Sequence, residues 1–493
     1  MASDAWDVIV VGGGISGLTT AWYLQRGGAE VCLLEASNTV GGCTQTKQRD
    51  GFLLEKGPFN VMVRDPAFEE LLLALSGKLS VVPASRTARS RYIYRRGRLY
   101  KVPSNPISLA TSGLLSVGAR ARLFAGLLAS RRAQEAEETI ERAALRRFGR
   151  EVTETMISSV IAGIFAGDIG LLSLRACFPS VADVDRQARS LLAYALTVPL
   201  RAKRGRARHR RRWRGLVSLD GGLGALTRVM GEELGNRVIT RCAVDSILPG
   251  GRGYQLTIRS GGDARNELQC RELVIATPAS EAGRLLEPIT PDAARELHGI
   301  NSSCIVTLNL GFKRDDIGHP LEGFGFLVPR DEHQFPLMGV LWADSMFPHH
   351  APADHRLIRV FIGGVRDPEA TSRTDDELLT LVMRSLRPLL QIRGEPVLVD
   401  PCRYQAAIPQ YHLGHAERIV RVREAVAARP GLHLAGNYLQ GVSLNDCVRF
   451  AKQLADSIGS TPHGARTPST ASSSRHKTGA GSSVASTPTA ATQ

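Results

Sequence analysis

Apolar and polar positions change their period several times along this chain. Residues 6–36 begin as WDVIVV, a continuous apolar run of the kind shown by a strand buried on both faces. They then pass through GGGISG, take helical spacing in LTTAWYLQRGG, and return to strand character in EVCLLEA. Strand, glycine turn, helix and strand make one βαβ unit. An irregular stretch follows, with VGGCTQT and DGFLLEKGPFNV, whose glycines imply close backbone approach to something. From about 86 to 214 the pattern reads as helices, including 108–130 and 153–173. The 108–130 stretch is amphipathic, and both a core-facing helix and a face resting on a membrane interface fit it.

Residues 217–280 return to an αβ pattern: a turn and helix in SLDGGLGALTRVMGEEL, then strands in RVITRCAVDSIL, YQLTIRS and ELVIATPA. Alternating runs over 301–363 (SCIVTLNLGF, GFGFLVP, PLMGVLWA, LIRVFIGG) predict a second, largely antiparallel sheet. A helix over 375–390, a strand and loop in GLHLAGNYLQGVSLNDCV and a helix over 446–458 close the folded part. Beyond Gly459 the residues are mostly Ser, Thr, Ala, Gly and Pro, which predicts a disordered tail over 461–493.

A hydrophobic fraction of 43% in 493 residues supports several packed domains. The net charge of +15 suggests a nucleic-acid partner until it is located. Most of it lies in RAKRGRARHRRRWR (201–214), which has no acid, and in the tail, which has Arg466, Arg475 and Lys477 and no acid. A nucleic-acid surface would spread charge over a folded face with interleaved aromatics, and Trp213 is the single aromatic in the run, so nucleic acid is not expected as a partner. A solvated insertion and attraction to an anionic membrane both fit the run. The eight cysteines show no CxxC pair or metal-type spacing, so free thiols and no metal are expected. No basic leader precedes the first strand and no apolar run reaches the roughly 18 residues of a spanning helix. A cytoplasmic protein, soluble or peripheral on the inner face of the membrane, is therefore expected.

The candidate chemistry starts at Gly12, Gly14 and Gly17, a GxGxxG between strand and helix. The first glycine permits the tight turn, the second lets the backbone approach a pyrophosphate, and the third lets helix and strand pack closely. Unpaired N–H groups of the helix then face the phosphates. Glu35 at the end of the next strand is placed to accept from a ribose diol, and an acid there disfavours a 2′-phosphate. The glycine-bearing EASNTVGGCTQT suits a flavin enzyme better than a soluble NAD dehydrogenase. Glycines before the last helix, in AGNYLQGVSLNDCV, fit either a cap for the flavin end of a long cofactor or an ordinary turn.

In order along the chain, VVGGGISGL, GFLLEKGPFN, RYIYRRGRLYKVPSNP, AGIFAGDIGLLSLRACFP, SLDGGLGALT, VIATPA, GFGFLVP, AIPQYHLGH and GNYLQGVSLNDC resemble the porphyrinogen oxidases of haem biosynthesis, within the flavin-dependent amine oxidase-like superfamily. The resemblance implies an α/β fold: a Rossmann-type FAD-binding domain (1–85, 215–300 and 395–460), an inserted helical, membrane-facing domain (86–214), and a mainly antiparallel substrate-binding sheet (301–394). It implies one non-covalent FAD per chain, contacted by Gly12, Gly13, Gly14, Ile15, Ser16, Gly17, Glu35, Ala36, Gly42, Cys43, Gly57, Pro58, Phe59, Asn60, backbone at Val244, and Val442, Ser443 and Leu444. Cys43 stands where the wider superfamily has Arg or Lys, and a cysteinyl-flavin is not expected. For a tetrapyrrole it implies Arg91 facing a propionate, Gly167 beside the pyrroles, and Leu327, Leu341 and Phe361 lining the slot. No catalytic side chain beyond FAD is required. The expected reaction is oxidation of protoporphyrinogen IX by O2 in three two-electron rounds, with coproporphyrinogen III as the alternative substrate. Amine oxidation and carotenoid desaturation are rivals on the same fold, and a homodimer stays open.

Overall fold

The computed structural model describes residues 6–128 except 104, 106, 107, 109 and 110, residues 137–187, 212–213, and 215–460 except 252 and 261–264. Apart from Arg212 and Trp213, the arginine run and the tail lie outside the described residues.

The expected βαβ unit forms from β1 (Trp6–Val11), α1 (Ile15–Arg26) and β2 (Val31–Leu34), with the two strands parallel. Val238–Ile239 pairs parallel to β2, the end of Arg265–Ile275 pairs parallel to β1, and Leu432–Leu434 pairs parallel to Arg265–Ile275. Gly253–Ser260 and Cys242–Gly250 extend this sheet as antiparallel strands. The even and odd positions of β1 are buried in opposite cores. Val8 and Val10 pack towards α1 and the helices Gly224–Leu234 and Leu444–Gly459. Ile9 and Val11 pack towards the helices Ala279–Leu286, Pro291–His298 and His415–Ala427. That two-sided covering is why the run shows no polar alternation, and truncating a residue such as Ile9 to Ala would cost about 2–5 kcal/mol.

The second sheet runs Leu398–Pro409, Ser302–Lys313, His355–Gly363, Gly339–Trp342, Gly325–Leu327, Tyr92–Arg95, Arg98–Lys101. All neighbours are antiparallel except Gly325–Leu327 with Tyr92–Arg95. It therefore extends beyond 301–394. The strand 398–409 belongs here rather than to the first sheet, and the start of the region read as helical supplies two strands at 92–101. One face carries Val306, Leu308, Leu310, Val340, Trp342, Ile358, Val360 and Ile362, buried against the helix Asp375–Leu390. The other faces the first domain.

Two helices differ from their expected lengths. Within 108–130 a helix spans Val117–Leu128, and Ser112–Ser116 in front of it is not helical. The Ser116 hydroxyl accepts from the Ala119 N–H at 3.2 Å, the N-cap arrangement that starts a helix there. Within 153–173, Thr153–Ile157 takes π geometry and Ser158–Phe165 is α-helical. The helix ends at Ala166, which adopts a left-handed conformation (φ 50°), so the AGD segment lies in a loop.

Candidate functional site

The glycine turn after β1 is explained by distances. A Cβ on Gly17 would lie 1.9 Å from the Gly12 carbonyl, and one on Gly12 (φ +107°) 2.8 Å from the Ala276 carbonyl. A Cβ on Gly14 would meet nothing within 4 Å, so its open side leaves room for a ligand at the backbone. Gly14 is also the N-cap of α1; it offers no side-chain cap, and the first turn holds no acid. The N–H groups at Ile15, Ser16 and Gly17 thus form an uncapped helix end suited to a pyrophosphate. Glu35 Oε2 accepts from Gly13 N–H at 2.7 Å, and Oε1 accepts from the Ser37 N–H and hydroxyl at 2.8 and 2.7 Å. A carboxylate has about four acceptor positions, so one on Oε2 is left for a ribose hydroxyl. Ala36, next to it, is exposed.

Gly41 N–H bonds the Gly13 carbonyl at 2.7 Å, which lays the Gly41–Gly42 turn against Gly14. Cys43 follows, exposed. A Cβ on Gly57 would lie 2.3 Å from the Cys43 carbonyl, so the 57–60 segment and the 42–43 turn touch through backbone. Pro58 and Asn60 are half-buried, and Phe59 is buried. At the far end Ser443 caps the helix Leu444–Gly459, its hydroxyl accepting from Asp446 N–H. That helix packs along α1, with Cys447 and Val448 in the same buried cluster as Ile15 and Leu18. The expected cofactor residues from Gly12 to Asn60 and from Val442 to Leu444 therefore converge. Val244 lies at a β-bulge on the strand that starts beside Glu35, where Cys242 N–H donates to the Glu35 carbonyl at 2.9 Å, and the Val244 carbonyl accepts from Arg284 at 2.8 Å. Uncapped N–H groups, an acid with spare acceptor capacity and glycines that only backbone can approach fit an FAD.

Beside this cradle, the inward face of the second sheet holds the expected slot residues. Register places Leu327 opposite Gly339, Gly339 opposite Phe361, and Phe361 opposite Thr307. Leu341, two residues from Gly339, shares that face. Phe59 of the cradle and Leu341 and Phe361 of the sheet belong to one apolar cluster, which Phe324 also joins. Arg91 is exposed, with Cζ 5.1 Å from the centre of the Phe324 ring, and pairs with no acid among the described residues. Gly163 Cα lies against Leu327, since a Cβ there would be 3.1 Å from Leu327 Cδ2. Phe361 also packs with Ala166, which places Gly167 at the same locus. Gly167 is buried, and a Cβ on it would sit 2.1 Å from Gln410 Oε1. Gln410 is fixed by donating to the Phe165 and Ile408 carbonyls at 2.8 and 2.9 Å.

The expected residues left out Gln410, Arg359, Asn309 and Glu55, all buried at this junction. Gln410 lies in AIPQYHLGH, and Arg359 interrupts the apolar run of LIRVFIGG, a visible break in pattern. Glu55 accepts from Leu223 N–H at 2.6 Å and the Thr46 hydroxyl at 2.7 Å, and burial pushes its carboxyl up to about 7. His350 packs against Phe59 and Phe347, and burial pulls its imidazole down to about 3.

The model of the flavin containing amine oxidoreductases matches residues 15–459. The chain belongs to that family. Coproporphyrinogen III oxidase of Propionibacterium freudenreichii subsp. freudenreichii is 31% identical over 92% of this chain and 90% of its own. Chloroplastic protoporphyrinogen oxidase of Oryza sativa subsp. japonica is 30% identical over 92% of this chain and 88% of its own. A crystal structure from Exiguobacterium sp. 255-15, described as a candidate protoporphyrinogen oxidase, superposes with a TM-score of 0.77 at 27% identity, covering 93% of this chain and 99% of its own. The fold is thus the α/β fold of the FAD-dependent amine oxidase-like flavoproteins, and the protein is a flavin-dependent oxidoreductase that uses FAD.

Proposed function

We propose that the chain oxidises protoporphyrinogen IX to protoporphyrin IX, consuming three O2 and releasing three H2O2 per porphyrin. The observation that carries this reading is the apolar face of Leu327, Leu341 and Phe361 next to the cradle, with Arg91, which pairs with no acid among the described residues, at its edge. Amine substrates call for an aromatic cage, and only 5% of this chain is aromatic. When bound, FAD supplies the two-electron acceptor at each round. The protein residues bind and orient. Leu327, Leu341 and Phe361 hold the macrocycle and keep water away, Gly167 lets it approach the backbone, and Arg91 pairs with a propionate. Residues Gly12–Gly17, Glu35–Ala36, Gly42–Cys43, Gly57–Asn60, Val244 and Val442–Leu444 are the proposed FAD contacts, with no covalent link at Cys43.

Coproporphyrinogen III is the second reading. It carries propionates where protoporphyrinogen IX has two vinyls, and Arg86 and Arg89, exposed near Arg91, also pair with no acid among the described residues. Two relatives that match over most of the chain bear that activity in their names. The test is kcat/KM for both porphyrinogens with wild type and Arg86→Ala/Arg89→Ala. Preference for protoporphyrinogen, unaffected by the double substitution, supports the first reading; preference for coproporphyrinogen that the substitution abolishes replaces it with the second.

The 86–214 region is proposed to rest on the cytoplasmic face of a membrane. Exposed Val117, Phe124, Val160, Ile164, Leu171 and Val181 support this reading. Among the described residues no helix is long and apolar enough to cross a membrane.

A further inference from the structure

Arg359 has no exposed surface, although it is charged and sits in an otherwise apolar strand. Its Nη2 donates to two successive backbone carbonyls, Lys56 at 2.8 Å and Gly57 at 2.7 Å. Its Cζ lies 5.2 Å from the centre of the Phe361 ring. Thr307, on the neighbouring strand, donates its hydroxyl to the same Lys56 carbonyl at 3.3 Å. Arg359 Nε and Nη1, and Nδ2 of its cross-strand neighbour Asn309, have no partner among the described residues. Glu55 is near enough to favour the charged guanidinium, which burial lowers only to about 10, so Arg359 is cationic at neutral pH.

A buried cation with two unpaired donors is a costly way to fill space, and an apolar side chain of similar volume would serve packing better. Its contacts explain its presence. On one side it grips the backbone that leads into Gly57–Asn60, and on the other its guanidinium meets the ring of Phe361. We infer that Arg359 is a positioning residue, which sets the spacing between the 57–60 wall of the FAD cradle and the Phe361 wall of the substrate slot. This rests on the proposed FAD contacts at 57–60. A planar guanidinium can reach two carbonyls while facing an aromatic ring, whereas a lysine ammonium keeps the charge without that geometry.

The test compares wild-type holoenzyme with Arg359→Lys and Arg359→Gln. The readouts are FAD dissociation on dilution, visible circular dichroism of the bound flavin, and kcat and KM with protoporphyrinogen IX. Both variants should bind FAD at least tenfold more weakly and show altered flavin dichroism. Their kcat should fall at least tenfold with KM changed less than threefold. Wild-type FAD affinity and dichroism, with activity lost only in proportion to folded protein, would overturn the inference. Should Arg359→Gln not fold, a double-mutant cycle of Arg359→Lys with Phe361→Leu decides: non-additive effects on kcat support the brace, and additive effects refute it. Gly57→Ala separates the underlying reading. If it folds and holds FAD as wild type does, the cradle assignment fails; if it loses FAD while the Arg359 variants behave as wild type, only the positioning role fails.

Discussion

Arg91 and Gly167 both border the proposed slot, and their substitutions should lower activity for different reasons. The Arg91 side chain is exposed and its described contact is with the Phe324 ring, so removing it takes little from the fold. Arg91→Leu should raise KM for the porphyrinogen about tenfold, the worth of one hydrogen-bonded charge, with the melting temperature nearly unchanged. Gly167 is a question of space, because its φ is ordinary and the obstacle is Gln410. Gly167→Ala should push that amide off the Phe165 carbonyl and lower kcat/KM, measured as initial rates at matched FAD content. A third residue gives a pH signature. His350 is held neutral, with its folded pKa of about 3 below the ordinary value near 6.5. The unfolded chain therefore binds a proton that the folded one refuses across that window, and stability present above pH 6.5 is lost as pH falls towards 3. The contribution is at most about 5 kcal/mol. His350→Phe keeps a ring between Phe59 and Phe347, and its melting temperature should decline less steeply with acid than that of wild type. Equal slopes would remove His350 from the account.

Helix starts separate stability from cofactor binding at the level of elements. Thr374 and Glu377 form a capping box at the start of Asp375–Leu390, on the far side of the second sheet from the slot. Thr374→Ala should cost about 1 kcal/mol by denaturant titration and leave FAD affinity unchanged. Ser443 caps its helix by the same geometry but at the cradle. Ser443→Ala should show a similar loss of stability and also weaker FAD binding, and an unchanged affinity would make Ser443 a cap alone. The elements legible in the sequence were those whose period is set locally. The βαβ unit was legible because its strands are buried on both faces and its glycines stand together at the turn between strand and helix, although the carbonyl that excludes a Cβ at Gly12 belongs to Ala276, remote in sequence. The strands over 301–363 were legible because one face meets the helix Asp375–Leu390 and the other holds the polar residues Thr307, Asn309 and Arg359. The stretch 92–101 was misread because its pairing partner, Gly325–Leu327, is remote in sequence. The helix end at Ala166 escaped notice because it uses an alanine in a left-handed conformation, with no glycine or proline at that position to mark it. The glycine cradle was readable in the same way, whereas the grip of buried Arg359 on the Lys56 and Gly57 carbonyls joins segments about 300 residues apart, which no local pattern encodes.

For the whole molecule, the uneven charge distribution becomes a statement about surfaces. The described body is close to balanced, and the net charge of +15 rests mainly on residues 201–214 and the tail. Sedimentation with vesicles should show binding that rises with anionic lipid content and falls with salt. Val160→Asp with Ile164→Asp should weaken it by adding charge to exposed apolar positions. Deleting 201–211 should weaken it too, with turnover in detergent kept. Loss of turnover on that deletion, at normal FAD content, would make the segment part of the catalytic unit. The central claim is that a tetrapyrrole lies between the cradle and the sheet face. The most direct measurement is porphyrin fluorescence on mixing FAD-loaded protein in air with protoporphyrinogen IX, and separately with coproporphyrinogen III, corrected for spontaneous oxidation and paired with oxygen uptake. Flavin-dependent fluorescence above background is expected, strongest with protoporphyrinogen IX, at three O2 per porphyrin. Rates no greater than spontaneous oxidation for both substrates, with the flavin intact, would contradict the central claim.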